Sequence, residues 1–214
     1  MKIQFLSLAA GLLLTTSIFA QSTSTRDVSG FNTVNIGGGF DQVTFIAGNK
    51  EGVVIKSSKI DPDKIETKVK GDELSIGMKK GAYSNSGKIT IEVTYKSLQE
   101  VNNSGSSDIV MMGTLKGDKF ELNSSGSGDL KGSFDVRDFS VNISGSADVV
   151  VDGQATEQHY AISGSGDIDA GNLLGETAEV AISGSGDVDL NVSGKVLTSI
   201  SGSGDVDNKG RRRN

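Results

Sequence analysis

Six aspartates recur at a near-constant interval along the second half of the chain: Asp108, Asp129, Asp148, Asp167, Asp187 and Asp205. Each closes a string of small residues. The first string is Ser104-Gly105-Ser106-Ser107, the third is Ser144-Gly145-Ser146-Ala147, and the other four are Ser-Gly-Ser-Gly. Three of these aspartates are followed two residues on by another, at Asp169, Asp189 and Asp207. Carboxylates held in a row at strand spacing, ~4.8 Å, repel by about 1 kcal/mol per neighbour even in water. Calcium would relieve that repulsion, because it takes about six to eight oxygen ligands and carboxylates suit it. The doubled positions Asp167, Asp169, Asp187, Asp189, Asp205 and Asp207 are therefore the calcium candidates. The competing reading is that each aspartate caps its own turn and faces solvent, where the repulsion is screened. On that reading, which is the one expected, there is no cofactor.

Catalytic chemistry finds little to work with. His159 is the single histidine, and the matching positions of neighbouring repeats are Glu121, Ser140, Glu179 and Leu197. It falls in an outward row of mixed chemistry, as a surface histidine. Ser and Asp abound here for turn reasons, so no Ser-His-Asp triad follows from their presence. Equivalent aspartates single out no acid–base pair of the glycosidase kind. No cysteine occurs, which excludes thiol nucleophiles, cysteine zinc sites and disulfides. The expectation is a protein without catalytic activity, with a polysaccharide-acting β-helix enzyme as the remote alternative.

The elements that hold these residues follow from the repeat. Apolar residues alternate on both sides of each turn. Ile109, Leu130, Val149, Ile168, Val188 and Val206 follow the aspartates, while Val101, Leu122, Val141, Tyr160, Val180 and Thr198 precede them by seven positions. Period two marks strands. A repeat of about twenty residues is too short to close its own sheet and suits one coil of a solenoid. Equivalent strands then pair in parallel, and like residues stack in ladders. The fold class expected is an all-β, right-handed parallel β-solenoid with ~20-residue coils and an irregular N-terminal β cap.

Composition agrees. Aromatics are 5% of the chain and Trp is absent, while there are 29 Gly and a single Pro. A stacked fold needs little aromatic volume, because each layer buries only a thin strip against the next. The layout expected is a signal peptide over 1–20, an irregular β region over 21–100, a six-coil repeat region over 101–207 and a basic disordered tail over 208–214. Lys2, the apolar run from Leu6 to Phe19 and the small Ala20 carry the signal-peptide reading. It implies export to the periplasm, outer-membrane surface or extracellular space.

Within 21–100, the segments Phe31 to Ile36, Phe40 to Ala47, Gly52 to Ser57, Lys64 to Lys70, Glu73 to Met78 and Lys88 to Tyr95 read as strands. Lys70-Gly71-Asp72-Glu73 reads as a hairpin turn, Asp61 as the cap of a short helix and Tyr83 to Gly87 as a loop. Val34 to Asp41 loosely echoes the later repeat. Charge divides unevenly: 21–100 carries a net +1, 101–207 a net −12 and 208–214 a net +4. An acidic solenoid argues against nucleic acid as a partner, since phosphate binding needs a cationic face.

Phe31-Asn32-Thr33-Val34, the Gly-rich turn after it, KGDELSI from Lys70 to Ile76, KITIEVTY from Lys88 to Tyr95 and the Ser-Gly-Ser-Gly-Asp turns together resemble the bacterial putative autotransporter adhesin head GIN domain family. The resemblance covers about residues 28–207. It implies an all-β solenoid at the envelope of a Gram-negative cell and an adhesin role, with no catalytic motif to carry over. The sequence departs from an autotransporter in that no membrane barrel follows the repeats. The function expected is an adhesin-like binding module for a protein or glycan at the cell surface. The alternative is a structural spacer that self-associates as a homo-oligomer. Outward Ser, Thr and Asn rows are the surface such a module would present.

Overall fold

The computed structural model describes residues 22–81 and 87–210. The expected signal peptide, most of the Tyr83 to Gly87 loop and the three arginines of the tail lie outside them. Alternating burial runs through nearly every strand, as the period-two pattern demands. The first half holds β1 (Ser22–Arg26), β2 (Thr33–Gly37), β3 (Gln42–Ala47), β4 (Gly52–Ser57), β5 (Ile65–Lys70), β6 (Glu73–Met78) and β7 (Ile89–Tyr95). The repeat region holds β8 (Glu100–Asn103), β9 (Asp108–Ser124), β10 (Leu130–Ile143), β11 (Val149–Gly164), β12 (Ile168–Gly175), β13 (Thr177–Gly184), β14 (Val188–Val192), β15 (Val196–Gly202) and β16 (Val206–Asn208).

Every repeat turn joins two faces. On the face entering the turn, β6, β2, β8, the end of β9, the end of β10, the end of β11, β13 and β15 pair in parallel in that order. On the face leaving it, the parallel order is β7, β3, the start of β9, the start of β10, the start of β11, β12, β14 and β16. The chain is thus a β-solenoid with parallel bridges roughly 20 residues apart and about five coils. The six turns of the repeat are the boundaries of five complete coils, one fewer than a count of turns suggests.

The first half does not simply precede the repeat. β2 and β3, with the turn Gly38 to Asp41 between them, form a coil in register with the first repeat coil: Asn35 lies opposite Asn102 and Val43 opposite Ile109. The echo read in Val34 to Asp41 is therefore a true turn of the stack. The chain then doubles back outward. β6 and β7 stack on the far side of β2 and β3, and antiparallel strands finish the end. β5 pairs with β6, β4 with β7 and β1 with β4. The Lys70-Gly71-Asp72-Glu73 hairpin is present, with Gly71 at φ +65°. Asp61 caps a single 3-10 turn, Pro62–Lys64, by accepting the Asp63 N–H.

The core is one continuous strip of Val, Ile, Leu and Phe ladders. Its buried aromatics fall in two groups, Phe31, Phe40, Phe45 and Tyr95 in the first half and a second set in the middle coils. Phe120, Phe134 and Phe139 form a cluster with ring centroids 4.8 to 6.0 Å apart, and Tyr160 joins it edge-on to Phe139 at 6.2 Å. Below Phe139 in the same row stands Gln158, fully buried. Its amide donates to Ala155 O and Leu173 O and accepts from the Tyr160 hydroxyl, so the polar group is satisfied where it replaces an aromatic.

Glycine is required in the turns by stacking. A Cβ on Gly126 would lie 1.8 Å from Gly105 O, and one on Gly105 would lie 1.7 Å from Gly38 O. The backbones of successive turns lie one on another, so a side chain would enter the coil beneath. Neither glycine is in the positive-φ region. Close approach of backbone, not freedom of φ, is what requires glycine at these two positions.

Candidate functional site

The aspartate row is knit along the solenoid axis. The Asp129 N–H donates to Asp108 Oδ1 at 3.2 Å, and the pattern continues Asp148 to Asp129, Asp167 to Asp148, Asp187 to Asp167 and Asp205 to Asp187 at 2.8 to 3.0 Å. In return, the residue after each aspartate donates its N–H to the carbonyl of the next one, as Ile109 does to Asp129 O at 2.7 Å. These carboxylates therefore cap the turn of the neighbouring coil, where their own turn was expected. The reason is spacing: at ~4.8 Å between coils the next amide is within reach.

The second aspartates lie on the adjoining face, with Asp169 opposite Asp189 and Asp189 opposite Asp207. Asp169 Oδ1 accepts the Gly171 N–H at 3.1 Å. Asp189 pairs with Lys209 at 3.1 Å, which raises the ammonium pKa. The six calcium candidates are thus split between a hydrogen-bonded row and a neighbouring row. Among the described residues, no three His, Cys, Asp or Glu side chains come together as a metal-holding group.

The other long feature is a groove on the face entering the turns. Its floor is backbone and inward-pointing residues such as Ile36, Ile143, Ile162 and Ile182. One wall is a row that reads Asn35, Asn102, Asn123, Asn142, Ala161, Ala181 and Ser199 in register. The other wall is the first serine of each turn. Three open concavities of about 580, 220 and 460 Å³ follow one another along it, sharing Asn102, Ser104, Asn142 and Ser144 where they meet.

The asparagines form a ladder. Asn102 Nδ2 donates to Asn35 Oδ1 at 2.8 Å, Asn123 to Asn102 at 3.0 Å and Asn142 to Asn123 at 2.8 Å. Glu100 and Glu121 flank the ladder and accept from the same amides, at 3.0 Å for Asn102 on Glu100 and 3.2 Å for Asn123 on Glu121. At Ala161 the ladder stops and the wall becomes methyl-lined. Opposite, the exposed hydroxyls of Ser125, Ser144, Ser163, Ser183 and Ser201 have no protein partner among the described residues. The Ser104 hydroxyl instead donates to Ile36 O at 3.1 Å, so the groove presents free hydroxyls from Ser125 onward, with amides at one end and methyls toward the other.

Several other charged groups pair on the outside. His159 Nδ1 lies 3.8 Å from Glu179 Oε2 and is half-exposed, as its row predicts. Arg137 binds Asp118 through two nitrogens and Asp138 through one, and its hydrogen bond holds the Asp118 carboxyl below the usual carboxylate range. Asp135 is lowered likewise, first by the Gln154 amide and then by Lys116. Burial raises the phenols of Tyr95 and Tyr160.

The axial hydrogen bonds and the groove were not read from the sequence, although the signal existed. Asn102, Asn123 and Asn142 share one phase of the repeat, and asparagine stacked at coil spacing bonds to itself. Among the described residues no helix is long and apolar enough to cross a membrane.

A family model described as putative auto-transporter adhesin, head GIN domain, matches residues 30–211. No curated protein is significantly similar in sequence. Among solved structures, a putative adhesin from Bacteroides fragilis superposes with a TM-score of 0.77 at 22% identity, over 88% of this chain and 97% of that one. A putative lipid binding protein from Parabacteroides distasonis gives 0.66 at 19% identity, over 88% and 96%. A putative adhesin from Parabacteroides merdae gives 0.64 at 20% identity, over 88% and 95%. At these identities the likeness establishes the shared fold.

Proposed function

From a chain that belongs to the putative auto-transporter adhesin, head GIN domain family, we propose an exported, non-catalytic module that binds an extended glycan at the cell surface along its Asn/Ser groove. The observation that carries the reading is the line of three concavities on one face, continuous across the coils. A groove that runs from coil to coil suits a polymer, and a serine wall repeating every ~4.8 Å offers a hydroxyl at each coil.

The chemistry selects the ligand class. Free serine hydroxyls both donate and accept, as sugar hydroxyls do. The methyls of Ala161 and Ala181 suit the apolar face of a sugar ring. Glu66 and Lys68 line the first concavity and offset one another, while Glu73, Glu100 and Glu121 stand behind the asparagines, so the groove suits a neutral chain. The same glutamates are engaged by asparagine amides, which favours binding over acid–base chemistry.

The test is a thermal-unfolding screen of the purified chain against neutral and acidic glycans, with Ala181→Trp as the blocked control. Ala181 points outward and is exposed, so the indole obstructs the groove and leaves the core intact. A neutral glycan at about a hundred times its dissociation constant adds roughly 2.7 kcal/mol, and Ala181→Trp should abolish the shift. A shift that survives Ala181→Trp places binding elsewhere. No shift with any glycan rejects the ligand class.

A further inference from the structure

Both ends of the stack finish in two edge strands, one on each face. At the N-terminal end these are β5 and β1, each bonded to a single neighbour. At the C-terminal end they are β15 and β16, and among the described residues all four strands are bonded on one side only. The two ends are protected unequally. β5 turns Glu66, Lys68 and Lys70 outward, charges of the kind that discourage indiscriminate edge pairing. β15 is seven residues long, VLTSISG, with neither charge nor proline.

The last coil is also left half open. Ile200 is 43% exposed, whereas Ile162 and Ile182 in the same row are 2% exposed. The aspartate row ends in the same state. Every repeat aspartate from Asp108 to Asp187 accepts the amide of the next coil, but Asp205 Oδ1 folds back on the Val206 N–H at 2.9 Å. The C-terminal end has the form of a coil awaiting another strand.

We propose that this end docks on the N-terminal cap of a second copy, continuing the solenoid head to tail. Displacement of one copy along the axis brings β15 opposite β5 and β16 opposite β1, each on its own face. β5 runs against its face, so β15 and β5 pair antiparallel. β1 runs with its face, so β16 and β1 pair in parallel. Both kinds of pairing already occur within the chain.

The side chains agree as well. Val196, Thr198 and Ile200 point inward on β15, and Ile65, Thr67 and Val69 point inward on β5, so the apolar strip runs on across the junction. Charge is mixed at both ends: from Glu176 to Asn208 six carboxylates stand against Lys195, but Lys209, paired with Asp189, and Arg211 to Arg213 follow, while β5 brings Lys68 and Lys70 against Glu66, with Lys64 beside them. A head-to-tail contact uses two different surfaces and does not close, so it builds linear chains of copies.

Sedimentation velocity over a concentration series tests this with three proteins: the unaltered chain, Ile200→Lys and the double variant Lys68→Glu/Lys70→Glu. All three positions are exposed, and far-UV circular dichroism verifies the fold of each. The unaltered chain should form a ladder of species that lengthens with concentration. Each variant alone should be monomeric, because each retains one working end. An equimolar mixture of the two variants should form dimers and nothing larger, joining the intact tail of one to the intact cap of the other. An unaltered chain that stays monomeric at every concentration overturns the proposal. So does a dimer that Ile200→Lys abolishes and Lys68→Glu/Lys70→Glu leaves untouched.

Discussion

Gly126→Ala tests the claim that turn glycines serve the stacking of coils. The added Cβ would stand 1.8 Å from Gly105 O, where ordinary contact begins at 3.4 Å. The two turns must therefore part by more than an ångström, because the obstacle is backbone. Three inter-coil hydrogen bonds bracket the clash: Ser125 N–H to Asn103 O at 2.9 Å, Ile109 N–H to Asp129 O at 2.7 Å and Asp129 N–H to Asp108 Oδ1 at 3.2 Å. Each contributes about 1 kcal/mol, and the forced displacement of a packed neighbour adds about 1–3 kcal/mol. The expected loss is roughly 4–6 kcal/mol.

Gly113→Ala is the matched control. Gly113 has φ +79° and nothing within 4 Å of the added carbon, so its change carries only the left-handed backbone term of about 1–2 kcal/mol. Urea unfolding followed by far-UV circular dichroism compares the two. In a stacked repeat the Gly126 change should also broaden the transition, as coils on either side of the break uncouple. If Gly126→Ala loses no more stability than Gly113→Ala, the stacking argument is wrong.

Asn123→Asp replaces the donor that Asn102, Glu100 and Glu121 receive with a carboxylate facing two others. It should destabilise the chain by about 1–2 kcal/mol at neutral pH and less in acid, where the carboxylates protonate; a pH-independent effect in urea melts would count against the ladder. At alkaline pH the raised phenol of Tyr160 stays protonated in the fold while the unfolded chain ionises near pH ~10. That contribution is complete below the unfolded value and is lost as pH rises above it, by about 1.4 kcal/mol per pH unit. Tyrosinate absorbance should therefore lag until the protein unfolds, and a full titration of all tyrosines in the folded state would contradict the burial. Melting in millimolar calcium should match melting in chelator, because one oxygen of each repeat aspartate from Asp108 to Asp187 already serves a backbone amide. A rise of several degrees would place a cation on the Asp167, Asp187 and Asp205 row.

How much of this was legible in the sequence depended on range. Strand formation is decided by alternation within a few residues, so Gly52–Ser57, Glu73–Met78 and the repeat strands could be read directly. β1 could not, because its STSTR is polar on both sides and its place comes only from pairing with β4. Of the groove, the polar rows were visible, but the bonds within them and the concavities between them were not.

The sequence by itself determined that the chain is an all-β solenoid, where its turns fall and which side chains face the core, because those follow from a two-residue period inside a twenty-residue one. Only the tertiary structure decided the order of the stack, with β2 and β3 lying between the cap and the first repeat coil across a separation of 67 residues from Asn35 to Asn102. It alone decided that the aspartates cap their neighbours, that the turn glycines clear a carbonyl and that one end is left open. Each of these is a contact between coils, and the spacing of residues within a coil carries no record of which coil lies beside it.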